Sequence, residues 1–149
     1  DRADLRAWRH AVSARVYERL AATGQTKIGT DMAVPDRCLR ELYALYEREF
    51  SATGLQYIMY GHIGNNHLHA NLFVRTDEEQ KKARAAYDRC MERVLAMGGT
   101  ISAEHGVGKI KREYLRRMYG VEAIQDFCAL KHVFDPHLLL GRNTMFLCG

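Results

Sequence analysis

The chain lacks most of the features that would settle its class at a glance. It has two prolines, Pro35 and Pro136, a single tryptophan, and no Cys-x-x-Cys spacing among its four cysteines. No apolar run approaches the roughly 18–20 residues of a membrane span, and no secretory leader pattern opens the chain. There is no phosphate-binding P-loop, no dinucleotide glycine fingerprint, no internal repeat and no low-complexity linker. A membrane-spanning helix, a nucleotide-binding α/β unit and a repeat array are thereby excluded. Cys38, Cys90, Cys128 and Cys148 are far apart, three of them in half-apolar helical patterns. That predicts buried free thiols rather than disulfides or a metal cluster, and with them a reducing, cytoplasmic setting. Charge of one sign is scarce too: 22 basic residues against 18 acidic leave +4. Much of the excess falls on Lys109, Lys111, Arg112, Arg116 and Arg117, read as a solvated helix face, with a contact to an anionic cofactor or partner domain as the alternative. With no interleaved aromatic beyond Tyr114, a nucleic-acid partner is not expected.

What is present is enough for one domain with a proper core: 149 residues, 47% hydrophobic and 27% charged. The first residue is Asp1 rather than Met, which reads as a piece of a longer polypeptide. Leu5, Trp8, Val12, Val16 and Leu20 recur at helical spacing, so residues 4–22 form an amphipathic helix stopped by Gly24. Lys27 to Val34 is a strand ended by Pro35, and a helix follows from about Asp36 with Leu39, Leu42, Tyr46 and Phe50 on one face. Gln56–His62 and Leu68–Val74 are strands joined by a Gly64-Asn65-Asn66 turn into an antiparallel hairpin. Thr76 with Glu79 is a capping box that starts a helix running to Met97, and Thr100–Ser102 is a short last strand.

The order is strand, helix, strand, strand, helix, strand, so the fold class is α+β. It is a ferredoxin-like βαββαβ antiparallel sheet with helices on one face, plus an N-terminal helix and a C-terminal helical tail. Residues 1–24 are the leading helix, 25–103 the ferredoxin-like unit, and 104–149 a Glu-His loop with helices over 109–118 and 121–133. Ile124, Phe127, Cys128 and Leu130 face inward on the second of these. The tail from His137 to Gly149 is apolar (Leu138, Leu139, Leu140, Met145, Phe146, Leu147), which predicts docking onto this domain or onto another part of the protein.

Two patches carry the chemistry. His62, His67 and His69 fall within eight residues of one hairpin, and Glu104 and His105 stand side by side about thirty-five residues later. Residues two apart on a strand share a face, so His67, His69 and Asn71 lie together, with His62 in cross-strand reach. If Thr100–Ser102 joins the sheet edge, Glu104 meets that face. His62, His69 and Glu104 then form a ligand set for a divalent ion, Zn, Mn or Fe rather than Ca or Mg. His67 is an extra ligand or a hydrogen-bond partner. His105 is next to a ligand and is read instead as a proton acceptor, its ordinary pKa lying near neutrality.

At these residues a family resemblance enters. Gly61-His62-Ile63-Gly64-Asn65-Asn66-His67-Leu68-His69-Ala70-Asn71, Gly98 to Gly108 followed by Lys111-Arg112, and Phe134-Asp135-Pro136 with Leu139-Leu140 together resemble the C-terminal cap domain of FAD-linked oxidases of the vanillyl-alcohol-oxidase type. That group includes D-lactate dehydrogenase, the glycolate oxidase flavin subunit and D-2-hydroxyglutarate dehydrogenase. The resemblance implies an FAD-dependent oxidation of a small D-2-hydroxy acid to the 2-oxo acid. It implies metal ligation by His62, His69 and Glu104, proton abstraction by His105 and hydride transfer to flavin. It also implies substrate contacts from Arg9, Ser13, Lys27 and Asn71. The FAD is held mainly by an N-terminal FAD-binding domain absent from this chain, so the isolated fragment is expected to be inactive, and an electron-transfer partner follows from the same likeness. Asn65, Asn66 and His67 stand where Asp-Gly-Asn is commoner, and Gly141-Arg142-Asn143 replaces the usual Asn-Pro-Gly-Lys; neither departure removes a ligand or the base. A free-standing metal-dependent hydrolase and a non-catalytic ferredoxin-like binding module are the competing readings.

Overall fold

The computed structural model describes residues 1–148, and its elements run in the expected order. Helix α1, Arg2–Thr23, is capped by the Asp1 carboxylate, which accepts the Ala3 N–H, and stops at Gly24 with φ 64°. Strands β1, Thr26–Gly29, and β2, Met32–Ala33, follow. After Pro35 and a 3-10 turn at Asp36–Cys38 comes helix α2, Leu39–Ser51. Strands β3, Tyr57–His62, and β4, His67–Val74, make the hairpin. Its Ile63–Asn65 turn is closed by Asn66, whose φ of 51° suits asparagine's tolerance of the left-handed region. Helix α3, Asp77–Ala96, starts with the Thr76–Glu79 capping box. The helical run α4, Arg112–Phe134, is broken at Gly120, whose φ of 85° and ψ of 169° end one helix and begin another. The two helices expected there are thus present, the first starting at Arg112 rather than Lys109.

β4 is the central strand. β3 pairs antiparallel with it on one edge, and β1 and β2 pair antiparallel on the other. One face carries Met32, Ala70, Leu72 and Val74 and packs on Leu42, Leu45, Tyr46 and Phe50 of α2 and Ala83, Tyr87, Cys90 and Val94 of α3. The other face meets α1: Val16 is buried, and the Arg19 guanidinium lies 4.8 Å from the centre of the Phe73 ring. This is the α+β antiparallel architecture that the pattern predicts, with α2 and α3 on one face.

Several details differ. The first strand is split at Thr30–Asp31, and the last is reduced to one bridge, Ala33 to Thr100, although Ile101 remains in the core. The apolar stripe of α1 is covered only in part: Leu5 is 72% and Trp8 78% exposed, whereas Val16, two turns on from Trp8, is buried. On α4 Leu130 is exposed, whereas Ile124 and Phe127 are half-buried.

The tail docks through backbone bonds, one ring and a disulfide. Met145 N–H donates to the Gly108 carbonyl at 2.8 Å and Phe146 packs on Phe127, while Leu139, Leu140 and Leu147 stay exposed. Gly149 lies outside the described residues. The cysteine expectation needs correction: Cys38 and Cys90 are buried free thiols, but Cys128 and Cys148 form a disulfide. The tail's return across α4 brings together two residues whose spacing gives no hint of pairing.

Candidate functional site

The site begins at the strand break. Register is unchanged across it, since Gly29 faces Asn71 and, three residues on, Met32 faces Leu68. What changes is one acceptor. Thr30 N–H still donates to the Ala70 carbonyl at 2.8 Å, but Ala70 N–H turns to the Thr30 hydroxyl, also at 2.8 Å. The Thr30 carbonyl is thereby free, and His69 Nδ1 lies 3.2 Å from it. A carbonyl can only accept, so Nδ1 is the nitrogen that donates there. Nε2 faces Glu104, with Oε2 at 3.4 Å.

Glu104 reaches a second imidazole with its other oxygen, Oε1, 3.1 Å from His62 Nε2. Arg9, which only donates, approaches His62 Nδ1 at 3.4 Å. His67 pairs with His62 across the hairpin, and one donor atom from each of His62, His67, His69 and Glu104 lies within 4.8 Å of the rest. Burial, and next to it the His69 ring, push the His67 pKa down, against the opposing pull of Glu104 and Asp31.

The loop bearing Glu104 and His105 is fixed by Asp31, a residue that sequence reasoning passed over. Its carboxylate accepts the Ser102 hydroxyl at 2.8 Å, Glu104 N–H at 3.1 Å, His105 N–H at 3.0 Å and the Lys111 ammonium at 2.9 Å. Burial raises its pKa, but the bonds from Lys111, Ser102 and the His105 amide outweigh that and hold the carboxyl well below the usual range. An aspartate in the apolar run Ile28 to Val34 was the available signal. Lys111, expected on a solvated face, is turned inward to Asp31. Arg116 and Arg117, by contrast, stay outside and pair with Glu113.

His105 stacks on His69, ring centres 5.2 Å apart and 13° from parallel, with Nδ1 3.9 Å from Asp31 Oδ1. Asp31, His69 and His105 also form a compact trio. The oxygens of Asp31 are already committed to four donors, so the Glu104 group is the better candidate for an ion.

A cleft of about 550 Å³ between α1 and the sheet adjoins this cluster. His62, His69, Glu104 and His105 line it, and so do Arg9, Ser13, Lys27 and Asn71. Lys27 donates to Asn71 Oδ1 at 2.8 Å, and Asn71 donates to the Tyr60 hydroxyl at 3.2 Å. Gly29 keeps this corner open, because a Cβ there would stand 2.7 Å from Asn71 Oδ1. Ser13 bonds its own helix, its hydroxyl donating to the His10 carbonyl at 3.4 Å. Eight of the residues singled out in the sequence therefore border one space, and Tyr60 and Thr30 are additions to its lining, whereas His67 and Asp31 do not line it.

The residues fit a divalent ion by their chemistry. Three imidazoles and a carboxylate converge, and one ring is oriented from behind by a backbone carbonyl.

An α+β domain with one apolar sheet face and one histidine-lined face beside a cleft is a restricted class. The chain belongs to the family of FAD linked oxidases, C-terminal domain, whose model matches residues 1–144. It is 31% identical over 129 residues to the glycolate oxidase subunit GlcD of Bacillus subtilis, covering 85% of this chain and 27% of that protein. Against the mitochondrial D-lactate dehydrogenase [cytochrome] of Arabidopsis thaliana it is 33% identical over 126 residues, 83% of this chain and 22% of the other. Against the D-2-hydroxyglutarate dehydrogenase of Xanthomonas citri it is 38% identical over 94 residues, 60% and 20%. The chain thus spans about a quarter or less of the length of these relatives. Among the described residues no helix is long and apolar enough to cross a membrane.

Proposed function

We propose that this chain is the substrate-side wall of an FAD-dependent oxidoreductase that converts a small D-2-hydroxy acid, lactate- or glycolate-like, to the 2-oxo acid. The observation that carries the reading is Glu104 facing His62 and His69 with its two oxygens, with His105 stacked beside them in a cleft that also holds Arg9 and Asn71. His62, His69 and Glu104 hold a divalent metal, Zn, Mn or Fe. When bound, the metal supplies Lewis acidity at the substrate hydroxyl and the flavin supplies the two-electron acceptor for the α-hydrogen.

The chain's own residues do the rest. Arg9 and Ser13 grip the substrate carboxylate, the guanidinium offering two parallel N–H groups, and Lys27 is a further substrate-side contact. Asn71, held between Lys27 and Tyr60, fixes the orientation of the bound acid. A proton on His105 Nδ1 is favoured by the Asp31 carboxylate, which leaves the Nε2 lone pair to take the hydroxyl proton.

In this reading residues 1–149 are the C-terminal part of a cap domain, with 1–24, 25–103 and 104–149 as its three segments. An FAD-binding domain elsewhere in the polypeptide completes the site, and the chain alone is inactive. A separate electron-transfer partner reoxidises the flavin. The cytoplasm is the proposed compartment on the strength of the free Cys38 and Cys90, with the Cys128–Cys148 disulfide weighing against it.

The test is anaerobic mixing of the flavin-loaded polypeptide with D-lactate, glycolate or D-2-hydroxyglutarate while the flavin absorbance is followed. Bleaching by at least one acid, slowed by a chelator and lost in His105→Ala with flavin and metal retained, is the expected result. A flavin that none of the acids reduces overturns the proposal.

A further inference from the structure

A third imidazole shares the space between His62, His69 and Glu104. His67 opens β4 directly opposite His62, is 2% exposed, and its ring centre lies 4.2 Å from that of His69. Both of its nitrogens look at carboxylates. Nδ1 is 3.8 Å from Glu104 Oε1, and Nε2 is 3.4 Å from Asp31 Oδ1 without forming a hydrogen bond. A neutral imidazole has one proton for two nitrogens, so in either tautomer one lone pair faces a carboxylate oxygen. Two acceptors face to face are repulsive unless a proton or a cation stands between them. Asp31 already has Lys111. The pair lacking a cation is Nδ1 and Glu104, on the side where His62 and His69 also converge.

Resting on the metal reading above, we propose that His67 is a fourth protein ligand through Nδ1, so that the ion sits among three imidazoles and one carboxylate. The Nε2 proton then points to Asp31, the carboxylate–histidine–metal arrangement that orients a ligating ring from behind. Ligand atoms around a tetrahedral ion with bonds of about 2.0–2.1 Å lie roughly 3.4 Å apart. The four donors already lie within 4.8 Å of one another and would close toward that spacing around an ion.

A nitrogen-rich set would favour Zn or Fe over Mn.

Zinc-edge X-ray absorption on the zinc-loaded protein counts the imidazoles. Three in the wild type and two in His67→Asn, with a loss of zinc affinity of about 10- to 100-fold in competition with a chromogenic chelator, is the expected result. Two imidazoles in the wild type, with Nδ1 holding a second proton instead, overturns the role of His67 and leaves the two-imidazole site standing. No specific zinc in the wild type overturns the metal reading itself. The wild-type count decides the matter even where the asparagine variant fails to fold.

Discussion

Leu68, Ala70, Leu72 and Val74 turn to one side of β4, His67, His69, Asn71 and Phe73 to the other. Burial does not separate the two sets: Leu72 is 0% exposed, and His67 and Asn71 are each 2%. The difference lies in what each face needs. An apolar side chain is content with any close-packed neighbour, so α2 and α3 satisfy one face through shape alone. A buried polar group needs a partner of the right kind at the right angle, so the other face depends on a few long-range bonds. The bonds that fix the Glu104 loop against that face converge on Asp31, at the seam where the first strand breaks.

The largest effect is expected at that seam. Asp31→Ala leaves the Lys111 ammonium and the Glu104 and His105 amides without their acceptor, at a cost of about 3–5 kcal/mol. Denaturant unfolding measures it, and metal affinity falls with it because the Glu104 loop loses its anchor. An unchanged unfolding midpoint would show that the faces are not tied together here. Acid acts on the Asp31 bonds and on a second set, at Asp135. Asp31 titrates well below the usual carboxylate, and Asp135, held by the Lys131 ammonium and the Leu139 and Leu140 amides, is lowered to about 2. Both are depressed on folding, so their stabilisation is complete above the ordinary carboxylate pKa of about 4 and drains away as pH falls from there to about 2 and below. Melting temperatures that stay level between pH 5 and pH 2 would contradict this.

Next come substitutions that separate the faces. Leu72→Ala opens a cavity and costs about 2–5 kcal/mol of stability, while metal affinity per folded molecule stays the same. His69→Ala leaves the Thr30 carbonyl unpaired, costs about 1–3 kcal/mol, and weakens metal binding by more than about 100-fold. Denaturation and metal titration on both variants give a crossed pattern if the faces divide the work; equal metal loss in both would dissolve the distinction.

How much of this was legible depended on range. The alternation from His67 to Val74 is local, so the chemical face could be read residue by residue, and the turn at Gly64–Asn66 put His62 across from it. The break at Thr30 could not be read, because it depends on a hydroxyl taking over from its own carbonyl. The donors to Asp31 at Ser102, Glu104, His105 and Lys111 lie 71 to 80 residues away, so nothing in its own neighbourhood announced them. Cys128 meets Cys148 only because the tail crosses α4. The α1 stripe was legible as a pattern, but whether each position is covered was not, since helical period says which residues share a face and nothing about what lies opposite.

The smallest effects test that last point. α1 rests on the chemical face near its middle, through buried Val16, Arg19 over Phe73 and Arg9 at His62. Arg9 and Ser13 ride on the same helix. Val16→Ala removes two methyl groups' worth of burial, about 1–2 kcal/mol, and lets the helix shift against the sheet. On the proposed function, the KM of the flavin-loaded polypeptide for the hydroxy acid should then rise several-fold (on the order of 1 kcal/mol), while metal affinity, assigned to the hairpin and the Glu104 loop, holds. Trp8→Ala, one turn from Val12 but 78% exposed, changes stability by less than about 0.5 kcal/mol. A larger loss at Trp8 than at Val16 would mean that the exposed half of the stripe is covered in the working protein, and that α1 is held from outside rather than by the sheet beneath it.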